Sequence, residues 1–133
     1  MSKAAILCVD DEPLVLRSLQ RELHQAFGDQ YCYESAENAN EALETIGELN
    51  EEGIDVIAVV SDWLMPGMKG DDFLIHVHQQ FPHIITILLT GQANDEAISR
   101  AKAEAALHHY FSKPWDGQEL ISCLRTGLTK VGA

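Results

Sequence analysis

At 133 residues the chain suits one domain around a single apolar core and would be crowded as two. Its 21 Asp and Glu against 9 Lys and Arg give a net charge of −12, which repels a phosphate backbone and an anionic membrane surface and so argues against direct nucleic-acid or membrane binding. The opening MSKAAILCVDDEP has too short an apolar run for a signal peptide or a bilayer span, which points to the cytoplasm.

Residues 4–9 are a continuous apolar run of strand length, the pattern of a strand buried on both faces of a parallel sheet. Pro13 suits a first helical turn, and Leu14, Leu16, Leu19, Leu23 and Phe27 follow at roughly helical spacing up to Gly28. Residues 31–35 predict a second strand. Asn38 is placed to cap a helix carrying Ala42, Leu43, Ile46 and Leu49, which Gly53 ends. Residues 54–61, with Val56, Ile57, Val59 and Val60, are the most strand-like segment. The loop DWLMPGMKG leads to a helix holding Phe73, Leu74 and Val77 that stops before Pro82. Residues 84–90 predict a fourth strand, Asn94 caps a helix to about Ala106, residues 107–112 predict a fifth strand, and Asp116 opens the last helix. Such alternation predicts an α/β fold: a doubly wound, parallel, five-stranded sheet with helices on both faces, its core spanning about residues 4–128.

In open α/β sheets, ligands bind beyond the carboxyl ends of the strands. The polar residues there are Asp10, Asp11 and Glu12 after the first strand, Asp62 after the third, Thr90 at the fourth and Lys113 at the fifth. Clustered carboxylates raise one another's pKa unless a cation neutralises them, and Mg²⁺ favours such oxygen ligands together with phosphate oxygens. A carboxylate can also attack phosphorus to give an acyl phosphate, with a metal and a Lys offsetting the charge on the transferring oxygens.

Four motifs, VDDE, SDWLMPGMKG, LLTG and YFSKPW, stand in order at predicted strand ends, and together they resemble the receiver domains of bacterial response regulators. The resemblance covers nearly the whole chain and implies a flavodoxin-like (βα)5 sheet of order 2-1-3-4-5. It implies that Asp62 is the phosphoacceptor, and that Asp10, Asp11, Asp62 and the Leu64 carbonyl hold Mg²⁺, or Mn²⁺ in its place. By the same resemblance Thr90 and Lys113 bind phosphoryl oxygens, Thr90 and Tyr110 form a switch, and the bond before Pro114 is a candidate cis peptide. The implied partners are a sensor histidine kinase or phosphotransfer protein and a downstream output domain or protein. The implied role is a signalling switch, not an enzyme acting on a separate substrate. Leu64 and Gln92 fall at variable positions that govern water access. The run from Ala105 to Tyr110 lacks the acidic residues of one common receiver dimer.

Simpler readings apply to other residues. Cys8, Cys32 and Cys123 show no metal-binding spacing and read as small buried hydrophobes. His108 and His109 point to opposite faces of a strand, and His76 and His78 do not face each other on a helix, so all four read as surface residues. Met65, Pro66, Gly67, Met68 and Gly70 read as the turn at the site's rim. A scaffold that has lost phosphorylation and a phosphatase or nucleotide-binding enzyme are the rivals, but the acidic and basic set is intact, and no GxxxxGK[ST], GxGxxG or Asp-x-Asp pattern is present.

Overall fold

Strand β1 (Lys3–Val9) sends Ala5, Leu7 and Val9 into one apolar cluster and Ile6 and Cys8 into another, so it is covered on both faces. The computed structural model describes residues 3–91 and 95–131. After β1 come α1 (Pro13–Phe27), β2 (Cys32–Ala36), α2 (Ala39–Glu51), β3 (Ile54–Asp62) and α3 (Gly70–Gln80). Strand β4 (Ile85–Thr90), α4 (Asp95–Glu104), β5 (His109–Ser112) and α5 (Gly117–Val131) complete the order. The five strands pair in parallel as β2-β1-β3-β4-β5, the predicted doubly wound sheet.

Helices α1 and α5 pack Leu16, Leu19, Leu23, Leu120, Leu124 and Leu128 against Ile6, Val60, Ile87 and Leu89. On the opposite face, α2, α3 and α4 cover Leu7, Val9, Val59 and Leu88 with Ile46, Phe73, Leu74, Val77 and Ile98. Two cap assignments hold: Asn38 Oδ1 accepts the Glu41 N–H at 2.8 Å, and Asp116 Oδ1 accepts the Gln118 N–H at 2.9 Å. The predicted Asn94 cap and the variable position Gln92 lie outside the described residues.

Several expectations change. Leu14 is 73% exposed, because it sits off the stripe formed by Leu16, Leu19 and Leu23. A short 3₁₀ turn, Gly28–Gln30, follows α1 and delays the second strand to Cys32. Helix α4 ends at Glu104 instead of about Ala106, since Ala106 takes φ +48°, and the Leu107 N–H turns back to the Ala101 carbonyl at 3.3 Å. The last strand therefore begins at His109 instead of residue 107. Helix α5 runs on to Val131. Cys8 is fully buried, with burial pushing its thiol up to about 12, but Cys32 and Cys123 are only half-buried. His108 is half-buried, with Nε2 3.2 Å from the Cys123 carbonyl, and His78 is half-buried too; His76 and His109 are exposed as expected. Among the described residues no helix is long and apolar enough to cross a membrane.

Candidate functional site

Strands of a parallel sheet end on one side, so the residues that close the central strands converge there. Here β1 delivers Asp10 and Asp11, its neighbour β3 ends in Asp62, β4 ends in Thr90, and Lys113 follows β5. Asp10 is fully buried and Asp62 is 4% exposed, whereas Asp11 faces solvent. One carboxylate oxygen from each lies within 4.8 Å of the others. Lys113 reaches across, its Nζ 2.8 Å from Asp10 Oδ2 and 3.1 Å from Asp62 Oδ1. The other oxygen of Asp10 accepts the Glu12 N–H at 2.9 Å, which orients the carboxylate.

The electrostatics leave this cluster short of positive charge. Burial raises the Asp62 pKa above the ordinary carboxylate value, and the charges of Asp10 and Asp11 add to the rise; Lys113 opposes it without cancelling it. Burial alone would lower the Lys113 pKa, but its hydrogen bonds to Asp10 and Asp62 outweigh burial, and the ammonium is held more firmly protonated. One ammonium, paired with two of three clustered carboxylates, leaves room for a further cation, and the hard oxygen donors fit Mg²⁺ or a similar divalent ion.

Thr90 is 2% exposed, and its hydroxyl has no hydrogen-bond partner among the described residues. Buried hydroxyls without partners are rare, so an acceptor arriving from outside would satisfy it. The Thr90 carbonyl meanwhile accepts the Lys113 N–H at 2.9 Å, tying the two strand ends together. Tyr110 pairs in register with Leu88, and Ser112 with Thr90, so Tyr110 and Thr90 lie on the same sheet face, displaced by two residues along their strands. The Tyr110 ring is half-buried against the core, with Lys102 Nζ 5.1 Å from its centroid. The Lys113–Pro114 peptide is cis.

The loop after Asp62 is anchored closely. The Trp63 N–H donates to the Leu89 carbonyl at 2.9 Å, and the Trp63 carbonyl accepts the Gly70 N–H at 2.8 Å. A Cβ at position 70 would fall 2.3 Å from the Asp62 carbonyl oxygen and 2.7 Å from Trp63 Cα, so this approach needs glycine. Gly67 turns the loop at φ +80°, Met65 is buried, and the Leu64 side chain is 51% exposed beside the site.

The structure thus brings Asp10, Asp11, Asp62 and Lys113 together and sets Thr90 at the neighbouring strand end, with Tyr110 further from the site along β5. Sequence reasoning missed three neighbours: Asp71, which accepts the Trp63 indole N–H at 3.1 Å; Arg100, which pairs with Asp71; and Glu22, whose carboxylate accepts the Trp115 indole N–H at 2.7 Å. Acidic residues at a helix start and on an amphipathic helix carry no local sign of these long-range partners.

The sequence matches the response regulator receiver domain family over residues 6–125. It is 31% identical over 130 residues to the hydrogenase transcriptional regulatory protein HoxA of Cupriavidus necator, covering 98% of this chain and 25% of that protein. The chain thus spans about a quarter of the length of this relative. It is also 31% identical to chemotaxis protein CheY-3 of Vibrio cholerae, covering 86% of this chain and 84% of that one. Among solved structures, the signal receiver domain of an HD domain-containing protein from Pseudomonas fluorescens Pf-5 superposes with a TM-score of 0.87 at 34% identity, covering 98% of each chain.

Proposed function

Given that this chain belongs to the response regulator receiver domain family of two-component signalling, we propose that it is a phosphorylation switch in which Asp62 accepts a phosphoryl group from a histidine kinase or phosphotransfer protein. Residues 1–133 then act as one receiver domain, working in the cytoplasm. The supporting observation is the arrangement of Asp62 against Asp10 and Lys113, with the Thr90 hydroxyl, which has no hydrogen-bond partner among the described residues, at the adjacent strand end.

In the proposed reaction a carboxylate oxygen of Asp62 forms the new O–P bond while the phosphorus–nitrogen bond to the donor imidazole breaks, and the leaving nitrogen keeps that electron pair. Lys113 already contacts Asp62 Oδ1, so its ammonium is placed to follow the charge onto the phosphoryl oxygens. The Thr90 hydroxyl donates to one of them. Asp10, Asp11, Asp62 and the Leu64 carbonyl would hold Mg²⁺ or Mn²⁺, which offsets phosphoryl charge when bound. Loss of the phosphoryl group to water resets the switch.

Movement of Thr90 toward the phosphoryl group opens space on its face of the sheet, toward which the Tyr110 ring turns. The surface around α4, β5 and α5 changes with it and controls an output domain or partner protein. A single charge-assisted hydrogen bond, about 1.5–3 kcal/mol, suffices to shift states that differ by a few kcal/mol.

Incubation with a small phosphodonor and Mg²⁺ is expected to add one base-labile phosphoryl group by intact mass, and none after chelation or in Asp62→Asn. Undiminished labelling of Asp62→Asn would place the chemistry elsewhere, and an unlabelled wild type with the donor intact would favour a scaffold that has lost phosphorylation.

A further inference from the structure

Helix α4 has a weak apolar hold on the sheet. Its buried residues are Ala97, Ile98 and Ala101, and two of these contribute little more than a methyl group each. Its position therefore depends more than usual on polar contacts, and Arg100 makes the most extensive of those described. The guanidinium donates from Nη1 to Asp71 Oδ2 at 3.2 Å, from Nε to Glu104 Oε2 at 3.1 Å, and pairs with Asp72.

Asp71 is the unusual member of this group. It is 7% exposed, so its charge is largely removed from water, and both its oxygens are engaged. Oδ2 faces Arg100 on α4, while Oδ1 accepts the indole N–H of Trp63 at 3.1 Å. Trp63 immediately follows Asp62, and its backbone is fixed at both ends by the Leu89 carbonyl and the Gly70 N–H. Lys69 Nζ lies 5.2 Å from the same indole ring. A displacement of Asp62 or its loop therefore shifts a side chain joined through one carboxylate to α4.

We infer that Asp71 is a positioning residue that ties the Asp62 loop to α4 through Trp63 and Arg100, and that this tether carries the state of Asp62 to α4 separately from Thr90 and Tyr110. The inference rests on the phosphoacceptor reading for its signal, but not for the tether itself. A partly buried carboxylate bridging an indole and a guanidinium has two directional contacts, so it transmits displacement where an apolar contact would slide.

The test compares the full chain with Arg100→Met, which keeps the alkyl stem, and Asp71→Asn, which keeps an acceptor for the indole but loses the ion pair. Without ligand, Arg100→Met is expected to move the Trp63 indole N–H resonance, distinguished from Trp115 by a Trp115→Phe background, and to speed amide exchange over residues 95–104 roughly threefold. With Mg²⁺ and the phosphoryl mimic beryllofluoride, bound at saturation by ¹⁹F resonance, both variants are expected to show less than about half the wild-type exchange response over that helix. An unmoved indole resonance and unchanged exchange in Arg100→Met overturn the tether. A full beryllofluoride response in both variants overturns its transmitting role. Failure of the wild type to bind beryllofluoride overturns the phosphoacceptor reading instead, and the ligand-free comparison still decides whether the tether exists.

Discussion

Lys113 is the one cation found against Asp10 and Asp62 among the described residues, and its removal would leave two buried carboxylates facing each other. Losing one partner of a buried charge pair costs about 3–5 kcal/mol, so Lys113→Met should lower stability by that order in metal-free urea unfolding. Added Mg²⁺ should restore part of the loss. No recovery would argue against a divalent ion at these carboxylates. Asp62 has the opposite sign. Its pKa is raised in the folded state, chiefly by burial, so its stabilising contribution is present below the ordinary carboxylate pKa and lost as pH rises through the raised value. Asp62→Asn should therefore stabilise the metal-free protein at neutral pH, and the gain should fade as pH drops through the carboxylate range; a gain that grows on acidification would contradict this. Strand-end placement made Asp10, Asp11, Asp62, Thr90 and Lys113 legible in the sequence, because each stands at the end of a segment that predicts a strand, and the family resemblance then implied their roles. Asp71 and Arg100 were not legible: 29 residues separate them, and an acid in a first helical turn is already explained by the helix dipole.

Two element boundaries depend on single backbone positions. Gly70 opens α3 directly under the Asp62 carbonyl, where a Cβ would meet backbone that cannot yield cheaply. Gly70→Ala should cost about 1–3 kcal/mol and displace the Trp63 indole resonance, whereas a neutral effect would mean the loop is softer than its contacts suggest. Ala106 closes the α4 turn at φ +48°, a conformation costing an ordinary L-residue roughly 1–2 kcal/mol. Ala106→Gly should gain about 1 kcal/mol in urea unfolding, after allowing for glycine's greater unfolded entropy. The strands and most helix starts could be read from apolar runs and caps such as Asn38 and Asp116. The end of α4 could not, since an alanine pair gives no stop signal and local propensity favours continuing the helix. The same misreading lengthened β5, because Leu107 continues an apolar pattern but turns back toward Ala101 instead of pairing with β4. Leu14 fits a helical count yet lies off the buried stripe, which spacing alone resolves poorly.

From Glu22 to Met68 the chain carries no Lys or Arg, so this stretch of the sequence is strongly acidic. Self-repulsion of this kind is screened by monovalent salt. Raising salt at constant pH should therefore increase the unfolding midpoint in Asp62→Asn as well as wild type, whereas the specific Mg²⁺ response should be confined to chains with the acidic site intact. A salt response absent from both would show that this self-repulsion does not limit stability. The alternation of strands and helices made a doubly wound parallel sheet legible, while the order β2-β1-β3-β4-β5 came only with the family resemblance; in that order carboxylates numbered 10 and 62 stand beside an ammonium numbered 113. The most direct measurement is to trap the phosphorylated chain with borohydride, which reduces an aspartyl phosphate to homoserine, and to locate the change by fragment mass spectrometry. Homoserine at position 62, dependent on both phosphodonor and Mg²⁺, is the expected result; a reduced residue at any other position, or none in a chain that carries the phosphoryl group, would contradict the assignment of Asp62.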